Sequence, residues 1–393
     1  MHCRICENNT VELLIDFGMQ PIIHQLSENK DKLHSNYPFR LGHCTSCNFL
    51  GLMEFIEPDV LYENYFTPSG WKNQPHIPRL IDLIHSLMGI ETDNTILEIG
   101  SNDGNFLKEL RDKGYKKLYG VEPTTNTYKT SINRGFEVHN CFFSKSSAEE
   151  IFSKNYFDLV VTRQVLEHIP DLHDFLEGIT YVIKDKGSLI IEVPDSQWNL
   201  DYLDYALWEE HVNYFTINTI RNLLKKHSFE VIYHEGTLFS GKALTVFCQK
   251  VESSSIVPWK CEEESTKILK YRDSWGDYNK NLIGFLDSIN SPIVIYGCGA
   301  RSCNFVNFMG ISNWIHSFVD DQQEKQGLYV PGNKLNIRSW DQDYFKDFVF
   351  LLGVNTENEY KVINNRQLGH EQFYSILPPS KNLPEFWNSL IYA

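Results

Sequence analysis

Two cysteine pairs, Cys3-x-x-Cys6 and Cys44-x-x-Cys47, bracket the first fifty or so residues, and about fifty residues further on the chain reads Glu98-Ile-Gly100-Ser-Asn102-Asp103-Gly104. Each pair can close a tight knuckle, and four thiolates complete a tetrahedral zinc with no coordination place left for substrate. The spacing therefore predicts one structural zinc on Cys3, Cys6, Cys44 and Cys47. The 37 residues between the pairs make the site ribbon-like rather than a short finger. A metal knot ahead of a nucleotide-type strand–turn–helix leaves few architectures open. The expected class is α/β, with a small zinc-binding module in front.

At 393 residues the chain exceeds one ordinary core, so two or three domains are expected. Its 36 basic against 51 acidic residues give a net charge of −15. That balance argues against nucleic acid or an anionic membrane as partner, since both need clustered Lys and Arg. A small anionic substrate needs only a local basic pocket and stays open. The remaining cysteines, Cys141, Cys248, Cys261, Cys298 and Cys303, show no disulfide-like rhythm, and the total of nine is odd. Together with the polar start this points to the cytoplasm. No apolar run approaches the roughly 18 residues that cross a bilayer. Oligomeric state leaves no trace in the sequence.

Three parts follow from the patterning: residues 1–75 with the cysteines and an aromatic end, 76–250, and 251–393. A helix is expected over Ile77–Met88, then strands and helices alternate. Strands fall at Thr95–Ile99, Lys117–Val121, Phe157–Thr162 and Ser188–Val193, with helices at Asn105–Lys113, Thr127–Arg134 and Leu172–Ile183. Such alternation means a parallel sheet covered on both faces. A closing helix over Thr219–Lys226 and strands Glu230–Glu235 and Ala243–Gln249 end this part. Val251–Pro258 reads as a linker, Glu262–Ile289 as a long helix, and Pro292–Tyr296 starts a second, Rossmann-like α/β unit.

In the central part, Gly100 and Gly104 let a ligand approach backbone N–H groups closely. Glu122 ends the next strand, 22 residues after Gly100, where an acid can accept from two ribose hydroxyls. Glu98 and Asn102 complete the loop, and Asp103 occupies the place a pyrophosphate would need. Its charge disfavours NAD or FAD. S-adenosylmethionine has no phosphate and carries a sulfonium cation, so an acid-lined loop suits it as cofactor.

Two segments beyond strand ends carry candidate chemistry. One is Val165-Leu-Glu167-His168-Ile-Pro170, similar to the post-strand segment of many class I methyltransferases. The other is Trp208-Glu209-Glu210-His211-Val-Asn213-Tyr214-Phe215. Methyl transfer to carbon requires a proton to be removed next to a ketone, and histidine can take and return it near neutral pH. His211 is the candidate base, with Glu210 beside it to hold its tautomer or steady its charged form.

Taken in order, the CxxC pairs, EIGSNDGNFL, VLEHIPDL, IIEVPD, EEHVNYF and the late Lys325-Gln-Gly327-Leu-Tyr-Val-Pro331-Gly332 run resemble the zinc-containing sugar C-methyltransferases of deoxysugar pathways. The resemblance runs from end to end. It implies a zinc domain, a central class I methyltransferase domain and a C-terminal Rossmann-like domain, with a nucleotide-linked 4-keto-hexose bound between them. The family's catalytic histidine falls on His211 and the acid before it on Glu210. The histidine of the post-strand segment falls on His168, and an aromatic-stretch tyrosine on Tyr65, with Tyr62 the alternative. Trp208 and Glu209 stand where the family has tyrosine and histidine, so polar contacts to the acceptor should differ.

The C-terminal turn, Gly297-Cys-Gly299-Ala-Arg301-Ser302, is followed 21 residues after Gly299 by Asp320. Arg301 at a helix start is well placed for a diphosphate, and this domain is expected to grip the nucleotide. The leading expectation is carbon methylation of a nucleotide-activated keto-sugar. Two rivals are O-methylation of a sugar hydroxyl and a non-catalytic sugar-nucleotide-binding scaffold.

Overall fold

The structure, a computed structural model, describes residues 1–62, 74–239, 241–252, 260–370 and 372–392. Strands β1 (Val11–Pro21), β2 (Asn36–Cys44) and β3 (Leu50–Leu52) form an antiparallel meander, followed by the short helix α1 (Pro58–Tyr62). The second cysteine pair sits in the β2–β3 turn. There the Cys44 N–H donates to Phe49 O at 2.8 Å and Asn48 takes φ 65°, a left-handed turn that asparagine tolerates.

After α2 (Ile77–Ser86) the chain builds β4 (Thr95–Ile99), α3 (Asn105–Asp112), β5 (Lys117–Val121), α4 (Thr125–Asn133), β6 (Glu137–His139), α5 (Lys145–Ile151), β7 (Phe157–Arg163), α6 (Leu172–Val182), β8 (Ile183–Pro194) and α7 (Ser196–Tyr202). The two-residue strand β9 (Asn213–Tyr214), α8 (Ile217–Lys226), β10 (Phe229–Leu238) and β11 (Lys242–Lys250) follow. Seven strands run in the order β10-β11-β8-β7-β4-β5-β6, parallel from β8 to β6, with β11 antiparallel to both β8 and β10. Alternate residues of β4 feed opposite faces: Leu97 and Ile99 one core, Ile96 the other. Strands β6, β9 and helices α5 and α7 were not anticipated. The strands have three and two residues and the helices seven each, too few to carry a period that can be read.

The third part begins with α9 (Glu262–Ser288) and continues through β12 (Ile293–Tyr296), α10 (Ala300–Met309), β13 (Ile315–Val319), β14 (Ile337–Arg338), β15 (Val349–Leu352), α11 (Thr356–Arg366), β16 (Phe373–Ser375) and α12 (Glu385–Tyr392). Its five strands, ordered β14-β13-β12-β15-β16, are all parallel. The expected linker at Val251–Pro258 lies, from residue 253 on, outside the described residues.

The three parts are interleaved. Strand β9, from the centre of the chain, is the fourth strand of the first sheet, in the order β1-β2-β3-β9, with Leu50 opposite Tyr214. Phe17 and Phe39 from that sheet meet Phe308 of α10 at centroid distances of 4.5 and 4.8 Å. Ser27 and Tyr329 exchange backbone hydrogen bonds of 3.1 and 2.8 Å, so the late KQGLYVPG run docks the first part on the third. Among the described residues, no helix is long and apolar enough to cross a membrane.

Candidate active site

The four cysteines converge. Cys3 Sγ lies 3.6 Å from Cys47 Sγ, Cys6 Sγ 3.6 Å from Cys44 Sγ, and all four sulfurs lie within 4.8 Å of one another. Zn–S bonds of about 2.3 Å in a tetrahedron put sulfurs roughly 3.8 Å apart, so the cluster fits zinc with little movement. Outer contacts are in place: the Ile5 N–H points at Cys3 Sγ at 3.4 Å and Thr10 Oγ1 approaches Cys44 Sγ at 3.3 Å. No ligand position remains open, which makes this a structural site.

The β4–α3 turn is shaped for close approach. Gly100 has φ 75°, and a Cβ there would lie 2.4 Å from Val165 Cγ2. Gly104 at φ 78° caps α3. The Gly100 and Ser101 N–H groups donate to Val121 O at 2.8 and 3.1 Å. Glu122 is turned onto the loop: it accepts from Asn102 N (2.8 Å) on one oxygen, and from Thr124 N (2.8 Å) and Thr127 Oγ1 (3.1 Å) on the other. Asp103 is less bare than its position suggested. It pairs with Arg134 at 3.2 Å and accepts from Asn105 N, so part of its charge is matched locally.

Glu98 lies beneath the loop with Oε2 buried and unpartnered. Burial, opposed by Arg163 and reinforced by Glu122 and Asp103, pushes its pKa up to about 8. The loop thus sits in a negative potential with one carboxyl oxygen unclaimed, which fits a cationic methyl donor and not a diphosphate. Arg163, whose guanidinium lies over Phe106, reaches Glu98 at 3.7 Å. Glu192 on β8 binds His76 at 2.9 Å.

His211 is buried just before β9, the strand that the middle of the chain contributes to the first sheet. Its ring packs against Trp208 (centroids 4.1 Å) and edge-on to His168 (4.8 Å). Burial first, then His168, drive its pKa well below the ordinary value, so the imidazole is neutral and able to accept a proton. The backbone holding it belongs to the zinc module: Val212 O accepts from Leu52 N at 3.0 Å and from Arg4 Nη2 at 2.6 Å.

Glu210 does not brace His211 as expected. Successive side chains diverge, and its carboxylate instead meets His24 Nδ1 at 3.1 Å. Its backbone carbonyl accepts from His168 Nδ1 at 2.9 Å. Burial alone would lower the His24 pKa, but the hydrogen bond and charge of Glu210, with Glu209, outweigh it and the net shift is upward. Glu209 ties all three parts together, accepting from Ile23 N (2.6 Å) and Asn304 Nδ2 (3.1 Å). So Glu209, expected near the acceptor, is a buried clamp.

The structure brings together His168, Glu210 and His211, and separately Glu98, Gly100, Asn102, Asp103, Gly104 and Glu122. Tyr65 lies outside the described residues, and Tyr62 ends α1. Arg301 is a correction. It is buried and paired with Asp204 of the central domain, and also donates to Asn355 Oδ1 at 3.3 Å, so it is not presented to a diphosphate. His24, His76 and Arg163 were missed. Their partners lie 186, 116 and 65 residues away in sequence (His24–Glu210, His76–Glu192 and Arg163–Glu98), and no local pattern points to them.

Comparison with known proteins assigns each part. A zinc binding domain family matches residues 3–62, a methyltransferase domain family residues 71–234, and a C-methyltransferase C-terminal domain family residues 260–369. C-methyltransferase NovU of Streptomyces niveus is 25% identical over 388 residues, covering 93% of this chain and 92% of that protein. The tRNA U34 carboxymethyltransferase of Ruthia magnifica subsp. Calyptogena magnifica is 23% identical over 235 residues, 58% of this chain and 66% of its own. A crystal structure of a SAM-dependent methyltransferase from Archaeoglobus fulgidus covers 49% of this chain and 100% of its own at 14% identity and a TM-score of 0.38, a likeness too small to carry an argument.

Proposed function

From the premise that this chain belongs to the zinc-containing C-methyltransferase family, an enzyme that uses S-adenosylmethionine and holds zinc, we propose that its acceptor is a nucleotide-linked keto-sugar and that His211 is the base. O-methylation and a non-catalytic scaffold fall away with that premise. The observation that carries the reading is the placement of His211: neutral, buried, walled by Trp208 and His168, and fixed by a strand pairing rather than left on a loose loop.

The bound donor supplies an electrophilic methyl group on a sulfonium. Glu98, Glu122 and the Gly100–Gly104 turn hold it, with Asn102 and Asp103 shaping the loop. His211 takes the proton from the carbon next to the ketone. As negative charge builds on the ketone oxygen, it raises the basicity of the adjacent imidazole, so a low starting pKa is no bar to proton transfer. His168, its Nδ1–H held by the Glu210 carbonyl, packs edge-on to His211 and steadies that ring. Glu210, clamped by His24, positions the segment. Tyr65 completes the acceptor side in this reading.

The test is His211→Asn with a nucleotide-linked 4-keto-6-deoxyhexose in deuterated water. Loss of a general base typically costs about 10²–10⁴ in rate. Turnover and donor-independent deuterium uptake next to the ketone should both fall by that much while calorimetric donor binding is kept. Deuterium uptake at the wild-type rate would remove His211 as the base.

A further inference from the structure

Outside the four-cysteine knot, one other set of metal-ligating side chains converges among the described residues: Glu167, His168 and His211. Their donor atoms lie within 4.8 Å of one another, and His168 Nε2 is 3.9 Å from Glu167 Oε1. Glu167 is 1% exposed, and neither carboxyl oxygen has a hydrogen-bond partner. A carboxylate is not left bare in a protein interior; a proton or a cation must match it. Its charged neighbours, Glu192 and Glu210, are both acidic. The histidines that serve those two, His76 and His24, are engaged with them at 2.9 and 3.1 Å.

The surroundings resemble a ligand shell. His168 Nδ1–H donates to the Glu210 carbonyl, and its Nε2 lies on the Glu167 side. Metal-bound histidines are oriented in this way by a carbonyl or carboxylate on the other nitrogen. Asn213 Nδ2 donates to Leu166 O (3.0 Å) and Ile169 O (2.7 Å), bracing the turn that carries Glu167 and His168. The Asn213 Oδ1 atom is buried and unpartnered as well.

We propose that Glu167, His168 and His211 form a second metal site, separate from the zinc knot, that takes one borderline divalent cation such as zinc, cobalt or nickel. Two imidazoles and one carboxylate suit these ions, whereas magnesium and calcium prefer all-oxygen shells. Bonds of about 2.0–2.2 Å in a tetrahedron put donors roughly 3.4 Å apart, so donors within 4.8 Å of one another need to close by up to about 1.4 Å. Three protein ligands leave a coordination place for water or a substrate oxygen. An ion there occupies the lone pair that His211 would use as a base, so excess metal should inhibit methyl transfer. Binding itself does not depend on the keto-sugar reading.

The experiment titrates cobalt(II) into the full chain already holding one equivalent of zinc. One further equivalent should bind, giving visible ligand-field bands without the thiolate charge-transfer band of a cysteine site. Removing even an outer partner of a metal site typically costs roughly 10–100-fold in affinity, so Glu167→Gln and His168→Asn should each weaken cobalt binding by at least that much. The near-isosteric glutamine keeps the fold, checked by unchanged zinc content and melting temperature. No second equivalent, a thiolate band from exchange into the knot, or wild-type cobalt affinity in both variants would each overturn the proposal and leave Glu167 holding a proton.

Discussion

The turn after β4 and the turn after β12 are built alike, yet the charges laid over them differ. In each, a positive-φ glycine donates to the end of the next strand: Gly100 to Val121 O at 2.8 Å, Gly297 to Val319 O at 2.7 Å. In each, an acid just past that strand closes on the loop: Glu122 on Asn102 N, Asp320 on Cys298 N, both at 2.8 Å. The difference lies in what packs on top. Lys325 lies 3.6 Å from Asp320 and donates to Cys298 O at 2.8 Å, while Arg301 leaves the helix start to join Asp204. The second turn is filled by the protein's own cations and serves domain docking. The first keeps an unclaimed carboxyl oxygen on Glu98. A shared signature therefore reports a shared backbone, and the charges laid over it decide whether a ligand enters.

The largest test of this contrast is Arg301→Met. Breaking a buried ion pair strands its partner, at a cost of about 3–5 kcal/mol. Urea unfolding should register that loss with donor affinity unchanged in the folded protein. Adding Asp204→Leu should recover much of the stability. A weakened substrate KM without any stability loss would instead restore Arg301 to a diphosphate site.

Next comes Glu122→Ala against Asp320→Ala. Hydrogen bonds to charged groups contribute about 1.5–3 kcal/mol, so the first should weaken donor binding by roughly 10–100-fold in calorimetry. The second should leave donor affinity alone and lower only the melting temperature. Equal effects on binding would erase the distinction between the turns.

A smaller effect concerns protons. With its pKa raised to about 8, Glu98 is largely protonated at neutral pH. A cationic donor nearby favours the carboxylate, so binding should release part of a proton and tighten as pH rises from the ordinary carboxyl range toward 8. Calorimetry in two buffers of different ionisation enthalpy reads this directly, and Glu98→Gln should abolish it. Proton uptake would contradict the sign.

The smallest is Gly299→Ala. Its φ is −90° and an added Cβ meets nothing within 4 Å, so stability should stay within about 0.5 kcal/mol of wild type. Gly100→Ala, at φ 75° and against Val165, should lose donor binding instead.

Much of the fold could be read because its signals are local. The alternation from Thr95 to Val193 was legible in short apolar runs and glycine turns, and β4 and β5 fall where the patterning placed them. The zinc ligands were legible from spacing alone. The site was legible only in its parts. His211 stands out in the sequence as a histidine beyond a strand end, but nothing near it announces that Asn213–Tyr214 completes the zinc module's sheet. Glu210 was assigned to its sequence neighbour, whereas its side chain reaches His24 across 186 residues.

The order of residues alone determined which chemical groups this protein owns: four thiolates in two knuckles, two glycine-shaped strand–turn–helix units, and an imidazole within an aromatic segment. Tertiary packing decided which of those groups are spent and which stay available. Lone pairs and charges are claimed by whatever lies within about 3 Å in space, and those partners come from distant stretches of the chain. Arg301 and Glu209 were thereby consumed as clamps, while one Glu98 oxygen was left without a hydrogen-bond partner.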